Sequence, residues 1–192
     1  MKKRIAIFAS GSGSNALKMI DHFKENAYSE IALLVTNNPN AGILEKSKDL
    51  VPQEIITNGQ ANDGEFLTDL MHLNGIDYIV LAGYLRKIPV DLIHFYPEQI
   101  INIHPALLPN YGGKGMYGMN VHKAVYDNQE KESGITIHLV NELYDKGKTL
   151  YQHKVEIAPE DTPEMIQQKV LKVEHLYFSK VVDEYIQSQH KK

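Results

Sequence analysis

The sequence predicts a Rossmann-like α/β fold. We expect a mostly parallel central sheet, helices on both of its faces, and an antiparallel edge towards the C-terminus. Three observations predict it. Short apolar runs such as Ile31-Ala32-Leu33-Leu34-Val35 and Tyr78-Ile79-Val80-Leu81 read as strands buried on both faces. Segments with apolar residues three and four apart lie between such runs, so strand and helix alternate. After about residue 134 the alternation stops, and two strand-like stretches follow with no helix between them.

The elements follow in order. Arg4–Ser10 is a buried strand that runs into Gly11. Asn15–Ala27 carries Leu17, Ile20 and Phe23 at spacings of three, a helical stripe. Glu30–Thr36 is the second strand, stopped by Asn37-Asn38-Pro39. A short helix covers Gly42–Leu50, and Gln53–Thr57 is a third, weaker strand. Phe66, Leu67, Leu70, Met71 and Leu73 form a helical face that ends near Gly75. Asp77–Ala82 is the most apolar strand. A helix begins at Pro89 and ends before Pro97, and Gln99–Ile103 is a short strand. Gly134–Val140 and Thr149–Ile157 form the antiparallel edge. The last helix opens with Thr162 as N-cap and Pro163 at its first position, and Ile166, Val170, Val173, Tyr177 and Val181 line one face.

Composition narrows the function. The 192 residues suit one domain with a sizeable core. There is no cysteine, which excludes a disulfide framework, a thiolate metal site and a cysteine nucleophile together. No short His/Glu ligand pair appears among the nine histidines, so no metal is expected. Lys+Arg is 20 against Asp+Glu 24, a net charge of −4, which argues against a nucleic-acid-binding chain. No run of about 18 apolar residues exists, so no membrane span is expected. The apolar part of the first ten residues is too short for a signal peptide, so the expected location is the cytoplasm.

Two strings carry chemistry. Gly11-Ser12-Gly13-Ser14-Asn15 joins the first strand to the first helix, where backbone N–H groups and the helix N-terminus favour an anion. With Ala16 it also fits the dinucleotide fingerprint. That fingerprint needs an acid, or an Arg, at the end of the second strand, and this strand ends Thr36-Asn37-Asn38. We therefore read the loop as a phosphate-monoester cradle; a tight turn that binds nothing is the competing reading. The second string is Ile101-Asn102-Ile103-His104-Pro105. Asn102 and His104 are two apart on a strand and leave on one face, at a carboxyl end where open α/β sheets bind ligands. An amide beside an imidazole suits acyl transfer, because the amide N–H stabilises an oxyanion and the imidazole moves a proton near neutral pH. Downstream, Asp145 lies in a turn before Gly147, and a carboxylate near His104 would favour the imidazolium and raise its pKa, which suits His104 as a general acid and proton donor.

The set Gly-Ser-Gly-Ser-Asn, Leu81-Ala82-Gly83-Tyr84-Leu85-Arg86, Ile101 to Pro109, and His138-x6-Asp145-x-Gly147, in that order, resembles the phosphoribosylglycinamide formyltransferase family of folate-dependent enzymes. The resemblance runs from Ile5 to about Tyr185. It implies a single formyltransferase domain over residues 1–192, with a phosphate-binding half at about 1–100 and a folate-binding and catalytic half at about 101–192. It implies Asn102, His104 and Asp145 as catalytic residues. Gly13, Ser14, Asn15 and Glu174 would hold the ribonucleotide. Leu85, Arg86, Lys87, Ile88, Asn102 and Tyr144 would receive the folate. The implied reaction moves the formyl group of 10-formyltetrahydrofolate, as co-substrate and without a metal, to the amine of N1-(5-phospho-D-ribosyl)glycinamide in purine synthesis. The implied partners are these small molecules, with no nucleic acid and no membrane, in a monomer or homodimer.

Two features depart from the family pattern. The stretch after Leu107-Leu108-Pro109 is a few residues longer and carries Gly112, Gly113, Gly115 and Gly118. No basic residue stands in Asn58–Phe66, where the family has a folate contact. A tRNA formyltransferase or a formyl-folate hydrolase would need an additional domain. A dinucleotide oxidoreductase is opposed by Asn37-Asn38, and a non-catalytic ligand module would leave Asn102 and His104 idle.

Overall fold

The computed structural model describes residues 1–189. The strands are β1 (Lys3–Phe8), β2 (Ser29–Thr36), β3 (Gln53–Ile55), β4 (Tyr78–Leu81), β5 (Ile100–His104), β6 (Glu132–Leu139) and β7 (Thr149–Glu156). The helices are α1 (Ser14–Phe23), α2 (Gly42–Ser47), α3 (Gly64–Leu73), α4 (Val90–Phe95), α5 (Met119–Asp127) and α6 (Pro163–Gln189). All seven strands join one sheet in the order β3-β2-β1-β4-β5-β6-β7. The pairs among β1 to β5 are parallel, and β5–β6 and β6–β7 are antiparallel, as the patterning predicts.

Alternation along β1 divides the core. Ile5, Ile7 and Ala9 join one apolar cluster, which takes Met19 and Phe23 of α1, Ile43 of α2, Val125 of α5 and Ile166, Phe178 and Val182 of α6. Ala6 and Phe8 point the other way, onto Leu67 and Met71 of α3 and Leu92 of α4. Successive strand residues face opposite sides, so each central strand must be apolar throughout. Each fully buried Ile, Leu or Phe adds roughly 1.5–3 kcal/mol of apolar burial, which is why a continuous run of them commits to the middle of the sheet.

Local rules account for most boundaries. Asp63 caps α3 by accepting from the Phe66 N–H at 3.0 Å. Thr162 opens α6 as expected, with the Met165 N–H donating to its Oγ1 at 3.4 Å. α1 ends at Phe23 rather than Ala27, because Asn26 Oδ1 accepts from the N–H groups of Tyr28 and Ser29 and turns the chain into β2. A 3₁₀ turn at Gln60–Asn62 and helix α5 have no counterpart in the sequence reading. α5 buries only Val121, His122 and Val125, too thin a stripe to stand out between glycines and polar residues. Asn37 and Asn38 serve the fold: Ser10 Oγ donates to Asn37 Oδ1 at 3.1 Å, and Asn38 Nδ2 donates to the Ser10 carbonyl at 3.0 Å. Among the described residues, no helix is long and apolar enough to cross a membrane.

Candidate active site

The strand order reverses direction at β1, from which α1 leads to β2 on one side while β4 lies on the other. The carboxyl ends of β1, β4 and β5 open there into a cavity of about 680 Å³. This is where ligands bind in open α/β sheets, and the volume suits a drug-sized ligand or larger. All twelve residues expected from the sequence line it. Gly13, Ser14 and Asn15 come from the loop after β1, and Leu85, Arg86, Lys87 and Ile88 from the segment after β4. Asn102 and His104 come from β5, Tyr144 and Asp145 from the β6–β7 connection, and Glu174 from α6.

At the loop, Gly13 has φ 72°, and an added Cβ would lie 2.4 Å from Ile43 Cβ, so only glycine fits. No side chain caps α1, which leaves its first N–H groups for an anion. Asn15 Nδ2 donates to Glu174 Oε2 at 2.6 Å, and Asn15 Oδ1 is buried without a partner among the described residues. Glu174 is 8% exposed. Burial pushes its carboxyl up to about 7, against the opposing effect of the Asn15 hydrogen bond.

At the β5 end, His104 is 4% exposed and its Nε2–H donates to the Tyr111 carbonyl at 2.7 Å. A carbonyl only accepts, so Nε2 carries a proton, and Nδ1 is the nitrogen free to gain or lose one. Nδ1 faces Asp145 Oδ1 at 3.7 Å. Asp145 Oδ2 accepts the Gly113 N–H at 2.8 Å, and Asp145 itself has φ 53°, so the turn spends backbone strain to aim the carboxylate inward. Burial alone would raise the Asp145 pKa. Contact with His138, the Gly113 N–H and the two imidazoles outweigh burial and leave it below its ordinary value.

One expectation needs correcting. The charge of Asp145 does act to raise the His104 pKa, as does the Tyr111 carbonyl, but burial is the larger effect and His138 adds to it, so the net shift is downward. His104 therefore rests neutral near pH 7, ready to accept a proton at Nδ1.

The sequence reading gave no role to His138. In the β5–β6 register it sits directly opposite Asn102. Its Nδ1–H donates to the Leu139 carbonyl at 2.8 Å, which leaves Nε2 to accept from Asn102 Nδ2 at 3.1 Å. One Asn102 amide hydrogen is thus committed, and the second remains for the cavity. His138 Nε2 is also 3.6 Å from Asp145 Oδ1. The antiparallel register that creates this pair has no local sequence signal. His122 of α5 likewise has no sequence signal; it is buried, lines the cavity, and is pushed down to about 4 by burial and then by the neighbouring His104 imidazole.

A family profile described as "Formyl transferase" matches residues 3–182, and the chain belongs to that family. Within it, the chain is 41% identical over 188 residues to "Phosphoribosylglycinamide formyltransferase, chloroplastic" of Arabidopsis thaliana, covering 94% of this chain and 64% of that one. The chain thus spans less than two thirds of that plant relative's length. It is 33% identical over 190 residues to the phosphoribosylglycinamide formyltransferase of Bacillus subtilis, covering 96% and 95% of the two chains. The crystal structure of phosphoribosylglycinamide formyltransferase from Bacillus halodurans superposes with a TM-score of 0.87 at 34% identity, over 96% of this chain and 95% of that one.

Proposed function

We propose that this chain is a phosphoribosylglycinamide formyltransferase, in which residues 1–192 act as one domain that moves the formyl group of 10-formyltetrahydrofolate to the amine of N1-(5-phospho-D-ribosyl)glycinamide. The observation that carries the reading is the convergence, in one cavity, of an uncapped helix N-terminus after β1 with Asn102, His104 and Asp145. The first would hold a phosphate, and the trio suits acyl transfer. Apolar residues Leu81, Ile88, Ile93, Val140 and Leu143, with the ring of Tyr144, supply a wall suited to a flat heterocycle. The Lys87 ammonium lies 5.5 Å over the Tyr144 ring and adds positive charge for an acidic tail.

The chemistry follows from the side chains. The ribonucleotide amine attacks the formyl carbon, a new C–N bond forms, and no covalent enzyme intermediate is needed. The free amide hydrogen of Asn102 donates to the formyl oxygen as negative charge builds there; one such donor is worth about 10²–10³ in rate elsewhere. His104 Nδ1 takes the proton that the amine sheds and delivers it to the folate nitrogen as the old C–N bond breaks. Asp145, held ionised, stabilises the imidazolium during that transfer. His138 fixes the Asn102 amide, and Glu174 with Asn15 supports the ribosyl end of the substrate.

The test is direct. The folded protein is mixed with both substrates and deformylation of the folate is followed by absorbance. Absence of transfer would overturn the function. His104→Ala is expected to lower kcat by about 10²–10⁴, the range for loss of a proton-transfer group. A fully active variant would overturn the mechanism while leaving the function in place.

A further inference from the structure

We propose that Lys114 is the cationic contact for the phosphate-bearing substrate, presented by the glycine-flanked turn between β5 and α5. The inference rests on the formyltransferase reading above and assigns a residue from the longer, glycine-rich stretch that departs from the family's pattern.

The turn is built rather than loose. An added Cβ at Gly112 would lie 2.5 Å from Leu108 Cδ2 and 3.2 Å from Asp145 Cβ, so the chain passes close beside the catalytic carboxylate. The Gly113 N–H then donates to that carboxylate. Further on, the Met116 N–H donates to the Gly113 carbonyl at 3.1 Å, and Asn120 Nδ2 donates to the Gly115 carbonyl at 3.1 Å. Gly113 and Gly115 have φ of 99° and 90°, a region that side chains rarely adopt. Lys114, between them, lines the cavity, as do Met116 and Tyr117 further along, and it is the cation of this turn.

Lys114 is exposed and forms no hydrogen bond or ion pair among the described residues. Two other cations line the cavity, Arg86 and Lys87, and both follow β4 on the chain segment that leads to α4. That helix covers one face of the sheet. The phosphate loop leads instead to α1, and the Lys114 turn leads to α5; both helices pack with α6 on the opposite face. Topology therefore separates the cations. Lys87 lies over the Tyr144 ring with Arg86 beside it in sequence, whereas Lys114 stands on a segment that leads to the same face of the sheet as the Gly13–Asn15 loop and α6. Lys46 Nζ also approaches that loop, but it donates to the Ser12 carbonyl at 3.1 Å and does not line the cavity. The ribonucleotide end thus has backbone N–H donors and one uncommitted ammonium, on a residue whose backbone the turn holds beside Asp145. A flexible four-carbon stem on such a turn suits a phosphate as a point-charge contact.

The experiment uses the full chain and steady-state kinetics with each substrate varied in turn. Lys114→Ala is expected to raise the KM for the ribonucleotide about tenfold, the scale of one charge-assisted hydrogen bond. The KM for formyl folate and kcat are expected to stay within about twofold. Lys114→Arg is expected to recover most of the loss. The Ala penalty should shrink at high salt, where the wild-type contact is screened, and should vanish with ribosylglycinamide lacking the phosphate. An unchanged ribonucleotide KM in an active, folded Lys114→Ala protein overturns the inference alone, as does an equal rise in both KM values or an equal penalty with the dephosphorylated substrate. A wild-type chain that transfers no formyl group overturns the functional reading, and this inference falls with it.

Discussion

Glu174 carries a carboxyl that burial pushes up to about 7 from 4.5, and its one hydrogen-bond partner is the Asn15 amide. A group whose folded pKa is raised contributes stability that is fully present below the unfolded pKa and is lost as pH rises through the folded one. Glu174→Gln keeps a neutral amide in place at every pH. The variant is therefore expected to gain about 2–3 kcal/mol relative to wild type between pH 4.5 and pH 8, read from urea midpoints. An equal difference at both pH values would show that the buried carboxyl carries no such cost. At this scale much of the site was legible. Asn102 and His104 were readable because two polar side chains at the end of an apolar strand must share a face, and Asp145 because the family pattern marks it. His138 was not readable as the Asn102 partner, because a cross-strand neighbour is set by register. Nor was the net pKa of His104, because desolvation depends on how much protein surrounds the ring.

The connection between β6 and β7 shows how an element aims a residue. Gly147 lies so close to β6 that an added Cβ would sit 1.7 Å from the Leu139 carbonyl oxygen. Gly147→Ala must push the turn away from the strand and carry Asp145 with it. The expected result is a loss of about 2 kcal/mol or more in stability, in the range for overpacked sites, together with a lower kcat at unchanged folate KM. A variant that melts and turns over like wild type would show that the turn adjusts without moving Asp145. Most elements could be read from period and punctuation: the buried strands, the α3 face and the capped start of α6. Helix α5 could not. Val121 and Val125 are its only buried apolar residues, and its third buried position is a histidine. Only the packing of α5 against α6 and the sheet supplies the helix with a reason to form there.

Across the whole molecule, buried acid and buried bases oppose one another. His104 and His122 titrate below their ordinary values, His122 at about 4, so the unfolded chain binds their protons first and acid destabilises the fold. Glu174 works in the other direction over the range from 4.5 to about 7. Wild type is therefore expected to show a muted slope of stability between pH 7 and pH 5. His122→Asn removes one acid penalty and should gain about 2 kcal/mol relative to wild type over that range, while Glu174→Gln should lose ground over the same range. Denaturant titrations at several pH values measure both, and parallel profiles for wild type and His122→Asn would refute the assignment. What the sequence by itself determined about this protein was the class of sheet, the order of its strands along the chain, the family, and the residues that meet at the carboxyl ends of β1, β4 and β5. Those features are local: apolar runs, glycine turns and two-residue periodicity act over a few positions. What only the tertiary structure decided was the Asn102–His138 pair, the neutral resting state of His104 and helix α5. These depend on register, desolvation and layer packing, which arise only once distant segments share one interior.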